Sequence, residues 1–106
     1  MIFETLYDSA ERGELILVDG GLCHWHLRRN GQLTIREIII LPERQGQGVG
    51  TAILDELRQV SGATSLFAKC PANLSANGWY RRRGFVAEGT ETTKTGRTIN
   101  LWRFTL

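Results

Sequence analysis

The sequence predicts one α+β domain with a mixed, mostly antiparallel sheet that is parallel only at its centre. Hairpin signals at Asp19-Gly20-Gly21 and Asn30-Gly31 connect three strands in the N-terminal half. An apolar strand, a glycine loop and an amphipathic helix follow over residues 38–61, and two further strands meet at Thr95-Gly96. This order of elements is typical of an α+β fold. A chain of 106 residues has room for one domain, residues 1–106.

The N-terminal half is predicted to contain one helix and three strands. The helix, over residues 2–12, is indicated by apolar residues at helical spacing, namely Ile2, Phe3, Leu6 and Ala10. The strands are predicted over residues 15–18, 22–28 and 32–41. In the second strand apolar and polar side chains alternate, so we expect one buried and one polar face. The apolar set is Cys23, Trp25 and Leu27, and the polar set is His24, His26 and Arg28.

The C-terminal half is predicted to contain two helices and three strands. Apolar residues from Val49 to Val60 share one helical face, which predicts a helix over about 48–61. The second helix is predicted over residues 75–83 and ends at Gly84, a residue common after helix C-termini. The strands are predicted over residues 65–68, 85–92 and 98–105.

The most informative segment is the junction between the third strand and the helix that follows it. The apolar strand ends at Pro42, and a loop with Gly46, Gly48 and Gly50 leads into the helix. Glycines allow positive φ and close approach of the backbone to a ligand. The helix N-terminus adds unpaired N–H groups and the positive end of the helix dipole. The junction therefore predicts a binding site for a phosphate or pyrophosphate.

Nucleotide-binding motifs of two common kinds fit this loop poorly. A P-loop requires Lys followed by Ser or Thr after the last glycine, and neither is present. The Rossmann fingerprint belongs to a βαβ unit, whereas three antiparallel-type strands precede this loop.

Two motifs resemble those of the GNAT (Gcn5-related) N-acetyltransferases. Residues 45–50, Gln-Gly-Gln-Gly-Val-Gly, are similar to that superfamily's acyl-CoA-binding motif Q/R-x-x-G-x-G/A. Downstream, the pattern N-x-x-A-x-x-x-Y-x-x-x-G-F is reproduced by Asn73, Ala76, Tyr80, Gly84 and Phe85. The resemblance covers about residues 15–106. It implies a sheet that splays at its centre, flanked by helices, and transfer of an acetyl group from acetyl-CoA to a primary amine in a ternary complex.

The resemblance also implies which residues bind the cosubstrate. The pantetheine arm is expected along the backbone of Ile38 and Ile40, in the gap between the third and fourth strands. The diphosphate is expected on the amides of residues 46–50, with side-chain donors alongside. The complete set of expected cofactor-binding residues is Ile38, Ile40, Gln45, Gly46, Gln47, Gly48, Val49, Gly50 and Asn73.

Two residues are predicted to act in catalysis. By the same resemblance, Tyr80 protonates the departing CoA thiolate. A backbone N–H near Ile40 is expected to stabilise the oxyanion. Glu37, on the strand that leads into the loop, is the preferred group to orient the amine or take its proton. His24, His26 or water remain alternatives for that role.

Composition restricts the possible partners. The net charge of +2 is too small to predict nucleic-acid binding, and no apolar run is long enough to span a membrane. Two cysteines without framework spacing favour reduced thiols and a cytoplasmic location. His24 and His26 lack a third metal ligand at recognisable spacing, so no metal is expected.

The front of the chain departs from the family pattern. Only about fourteen residues precede Leu15, where fuller relatives have a strand and two helices that form one wall of the acceptor pocket. We therefore expect a short member with a truncated N-terminal region. Its acceptor side is expected to be open or completed by a homodimer partner. A non-catalytic acyl-CoA-binding module is the alternative function.

Overall fold

The computed structural model describes residues 2–106, apart from the side chains of Ile2, Phe3 and Ser9. The apolar spacing predicted for Ile2 and Phe3 therefore lies outside the described residues. The elements, in chain order, are α1 (Ile2–Glu11), β1 (Leu15–Val18), β2 (Gly21–Leu27), β3 (Gln32–Ile40), a 3-10 turn (Pro42–Arg44), α2 (Val49–Arg58), β4 (Ser65–Pro71), α3 (Ala76–Arg82), β5 (Val86–Thr92) and β6 (Thr98–Thr105).

The predicted order of helices and strands is confirmed, with two differences in length. The fourth strand was predicted to end at residue 68, but β4 continues to Pro71 because β6 pairs with it along its whole length, up to Ile99 opposite Pro71. The helix after the glycine loop was predicted to reach residue 61, but α2 ends at Arg58. A turn follows it before β4.

The strands form one six-stranded sheet in the order β1-β2-β3-β4-β6-β5. Every neighbouring pair is antiparallel except β3 and β4, which are parallel. The predicted fold class, a mostly antiparallel mixed sheet with one central parallel junction, is therefore confirmed.

The central parallel junction is short. Residues 32–35 of β3 pair with residues 65–68 of β4, and the pairing then stops although both strands continue. The gap opens where β3 carries a bulge: Trp25 of β2 faces Ile35, but His24 faces Glu37, which leaves Arg36 without a partner. A bulge bends and twists its strand. The bend therefore begins at the residue after the last pair with β4.

The hydrophobic core lies between one face of the sheet and the helices α2 and α3. Its fully buried side chains come from strands and from α2, among them Leu33, Ile53, Leu57, Leu66 and Trp102. Burial of these groups is the main stabilising term for a domain of this size.

The opposite face of the sheet carries polar groups near α1. The carboxylate of Glu14 accepts hydrogen bonds from Arg12 and from Nδ1 of His26, at 2.6 and 2.5 Å. Burial alone would raise the pKa of Glu14, but these two partners outweigh it and lower the pKa. The predicted polar face of β2 is therefore only partly solvated, since His24 is 4% exposed.

Helices α2 and α3 meet at Gly50. A Cβ atom at position 50 would lie 2.7 Å from Cζ2 of Trp79, which is closer than real Cβ atoms approach other heavy atoms. Gly50, the third glycine of the loop, therefore allows the indole of Trp79 on α3 to pack on the first turn of α2. Its role in packing was not predicted.

Replacing Gly50 by Ala is expected to destabilise the protein by about 1–3 kcal/mol, because the rigid indole of Trp79 must shift. Urea denaturation measures the change in the free energy of unfolding.

The control is the same replacement in a Trp79→Leu background. Without the indole, Gly50→Ala should stabilise α2 by up to about 1 kcal/mol, because Ala is the better helix former. A stabilising effect of Gly50→Ala in the wild-type background would contradict the close packing of Trp79 on Gly50.

Candidate active site

In the loop between β3 and α2, two of the three glycines have the positive φ that the glycine pattern predicted, and Gly50 is helical. After the 3-10 turn, Gln45 is extended, and Gly46 and Gly48 have φ values of 78° and 85°. These values lie in the left-handed region, which side chains other than that of glycine rarely adopt. Open space surrounds both Cα atoms, because an added Cβ would meet nothing within 4 Å. The loop surface is thus accessible to a ligand.

The amides of this loop are unpaired. From Gly46 to Thr51, no backbone N–H donates to a group in the described part of the chain; the first bond of α2 is donated by Ala52 to the carbonyl of Gly48. Gly48 is the N-cap of α2 and provides no side-chain cap. Six free donors at a helix N-terminus, where the dipole is positive, form a site for an anion.

The two glutamines of the loop are engaged by the protein itself. Gln45 Nε2 donates to the carbonyl oxygen of Ile40 at 3.2 Å, and Gln47 Nε2 donates to that of Glu43 at 3.0 Å. Arg44 donates to Gln47 Oε1 and to Asp19. The contacts of Gln45 and Gln47 with the diphosphate stay predictions. To make them, each side chain must exchange its hydrogen bond within the protein for one to the diphosphate.

The edge of β3 presents free backbone groups to the gap. The Leu41 N–H donates to the Gly20 carbonyl, at 2.8 Å. Because an antiparallel ladder alternates, Glu37 and Ile39 also turn their polar backbone groups to β2, and Ile38 and Ile40 turn theirs to the gap. β4 does not pair with this part of β3. A ligand can therefore add to β3 as a strand would.

Tyr80 lies in the core beneath the sheet, near Cys70 of β4 and Cys23 of β2. It is 5% exposed, and its ring packs edge-on against Trp79 and Phe85 and stacks on Trp102. Burial raises the pKa of its phenol, and the nearby thiols of Cys70 and Cys23 raise it further. The phenol is therefore protonated throughout the neutral range.

Asn77 fixes α3 to the end of β4, a role that the sequence analysis missed. Its Nδ2 donates to the carbonyl of Pro71 at 2.8 Å, and its Oδ1 accepts from Nε1 of Trp102 at 2.9 Å. Asn77 precedes Tyr80 by three residues, so the two share a helix face. This spacing is the feature of the sequence from which the position of Asn77 could have been predicted. The predicted binding residue, Asn73, is exposed in the segment before α3.

Glu37 lies on the other face of the sheet from Tyr80. Its neighbours Ile38 and Ile40 pack against the core, which turns the Glu37 side chain away from it. The carboxylate is partly exposed and stands across from His24 on β2. Burial, followed by the charge of Arg36, lowers the pKa of His24, and its Nε2 is buried without a partner. The two predicted catalytic residues thus lie on opposite faces of the sheet.

Between residues 2 and 106, no three His, Cys, Asp or Glu side chains are grouped so as to hold a metal ion. Over the same range, no helix is long and apolar enough to cross a membrane.

Solved structures share this fold. An acetyltransferase from Salmonella typhimurium that modifies the N-terminal serine of the 50S ribosomal subunit protein L7/L12 has a TM-score of 0.80 at 18% identity, over 97% of this chain and 72% of that one. An acetyltransferase from Bacillus anthracis in complex with acetyl coenzyme A has a TM-score of 0.74 at 17% identity, over 82% and 56%.

A third structure, from Desulfovibrio desulfuricans and assigned to the GNAT family, has a TM-score of 0.71 at 24% identity, over 81% of this chain and 61% of that chain. The chain therefore spans less than two thirds of the length of two of these three proteins. At such identities the likeness is one of fold.

The sequence itself matches a family model described as an acetyltransferase (GNAT) domain. The match extends over residues 6–87, more than three quarters of the chain. This agrees with the resemblance drawn from the two motifs and with the splayed sheet. The chain therefore belongs to the GNAT acetyltransferase family.

Proposed function

We propose that this protein transfers an acetyl group from acetyl-CoA to a primary amine by direct attack in a ternary complex. The observation that carries the proposal is the gap between β3 and β4, which opens beside six unpaired amides at the start of α2. An anionic group and a strand-like arm, joined in one ligand, fit these two adjacent features. Acetyl-CoA has both, and an acetyltransferase of similar fold from Bacillus anthracis was solved in complex with it.

The chain's own groups suffice to hold this cosubstrate. Amides from Gly46 to Thr51 are free to bind the diphosphate at the positive end of α2. The backbone of Ile38 and Ile40 offers N–H groups and a carbonyl to the pantetheine arm. A gap-facing N–H near Ile40 also supplies a donor for the oxyanion that develops on the acetyl carbonyl. Acetyl-CoA itself supplies the thioester, whose C–S bond breaks as the new C–N bond forms.

Tyr80 is the proposed proton donor to the leaving thiolate. Its phenol is protonated at neutral pH because burial raises its pKa, and only 5% of the residue is exposed. A protonated donor in an apolar environment stabilises a developing negative charge strongly. The core position, fixed by Trp79 and Phe85, leaves the ring little freedom to move away.

Glu37 is the proposed group that receives the attacking amine. On the face opposite Tyr80, its carboxylate can attract an ammonium group and take the proton that must leave before attack. His24 stands across from it with a buried, unpartnered Nε2. His24, His26 or water therefore remain alternatives for the final proton acceptor.

Replacing Tyr80 by Phe should lower kcat at least about 100-fold while the Kd for CoA changes less than about twofold, because only the proton donor is lost. The loss should be equal from about pH 6 to about pH 9, since the raised pKa of Tyr80 lies above that range. CoA release with a panel of amines measures the rate.

Tyr7→Phe is the matched control, because Tyr7 is exposed on α1. Equal kcat for Tyr80→Phe and the wild type would remove Tyr80 from the mechanism. Tight CoA binding without turnover of any amine would favour the non-catalytic module.

Replacing Glu37 by Gln should reduce kcat/KM about tenfold or more and change its pH profile, because the attacking amine loses the carboxylate that attracts it and takes its proton. Glu56→Gln, on the exposed side of α2, is the control. If the profile of Glu37→Gln is unchanged, the same measurement on His24→Gln and His26→Gln identifies the alternative.

A further inference from the structure

An apolar row crosses the sheet on the face that carries Glu37. Cross-strand pairing aligns Leu17 with Leu22 and Leu22 with Ile39. Their chain neighbours Ile16 and Ile38 pack against the core. Because side chains alternate between the two faces of a strand, Leu17 and Ile39 point away from the core. Leu17 is 71% exposed and Ile39 is 41% exposed. In the described structure, both ends of this row, Leu17-Leu22-Ile39, are therefore exposed, and Leu22 between them is partly buried.

The row lies directly beside the proposed reaction centre. Glu37 precedes Ile39 by two residues, so both side chains stand on the same face of β3, in the segment that borders the gap. The next row of the sheet is Leu15, His24 and Glu37. A ligand bound on the apolar row therefore has one end beside the Glu37 carboxylate, which attracts a cation.

The dimensions of the row suit a short peptide better than a second copy of the chain. Three neighbouring strands at about 4.8 Å spacing give a row about 10 Å long. Three extended residues span about the same length. A stable dimer buries about 800 Å² on each partner, several times the area of one such row.

We propose that the acceptor is the N-terminal segment of a peptide or protein with apolar side chains among its first three residues, bound on Leu17, Leu22 and Ile39. Its α-amino group lies at Glu37 and its first side chain lies on Ile39. In an extended segment the third side chain points to the same face as the first, so it lies over Leu22 and reaches Leu17. This inference rests on the proposed function and names its acceptor.

The test compares three peptides on the full chain with acetyl-CoA. The first has a free N-terminus and Leu or Ile at positions 1–3, and the second has Ser and Asp there. The third is blocked at its N-terminus and carries an internal lysine. We expect a kcat/KM about tenfold higher for the first, the size expected for burying one aliphatic side chain. Fluorescence anisotropy of the labelled first peptide on the CoA-bound protein gives its Kd independently of turnover.

The decisive variant is Leu17→Gln, with Val86→Gln as control, because Val86 is similarly exposed, at 68%, on the distant strand β5. Leu17→Gln should raise the Kd of the apolar peptide about tenfold and leave the Kd for CoA unchanged. Val86→Gln should change neither.

Four results would overturn the inference. These are equal effects of Leu17→Gln and Val86→Gln, no preference for the apolar peptide, preference for the lysine peptide, or a wild-type dimer that Leu17→Gln converts to a monomer. Failure of CoA to bind the wild type would refute the proposed function itself, and the inference with it. Acetylation without apolar preference refutes the inference alone.

Discussion

The early end of the pairing between β3 and β4 is the constraint on which the site depends. After four residue pairs, the bulge at Arg36 turns β3 away, and the polar groups of Ile38 and Ile40 lose the partner that a closed sheet would provide. Unpaired backbone groups are costly unless water or a ligand satisfies them. The same bend brings β3 to the loop whose amides precede α2. The bulge at Arg36 therefore accounts for the gap between β3 and β4 and for the position of the anion site beside it.

Packing on the core side maintains this opening. Gly50 allows Trp79 to contact α2, and Asn77 holds α3 to the carbonyl of Pro71 at the end of β4. Both contacts lie on α3, the helix that carries Tyr80. The opposite face bears Glu37 and the apolar row. The proposed proton donor and the proposed acceptor site thus lie on different faces of one sheet.

The order of elements and the glycine loop could be predicted because they depend on local signals. Asn30-Gly31 specifies a hairpin, and strand, loop and helix succeed one another within residues 38–58. The length of β4 could not be predicted in this way, since residues 69–71 become a strand through pairing with β6. Likewise, the bulge at Arg36 is a difference in register between two strands, which neither strand's own pattern contains.

Within the site, motifs indicated residue types but not their contacts. Tyr80 and Glu37 were chosen from their positions in the chain, and their arrangement on opposite faces follows only once the alternation of β3 is known. Asn77 was missed in favour of Asn73, because its partners Pro71 and Trp102 are brought together by tertiary structure. Burial of His24 beside the polar face likewise depends on packing that periodicity does not describe.

The most direct test is a titration of ¹⁵N-labelled protein with CoA, followed by amide NMR shifts. Large shifts are predicted for Gly46 to Thr51, whose N–H groups are free in the structure. Pantetheine, which lacks the diphosphate, should shift Ile38 and Ile40 but leave the loop amides unchanged. Loop amides that do not respond to CoA, while other residues show that it binds, would contradict the account.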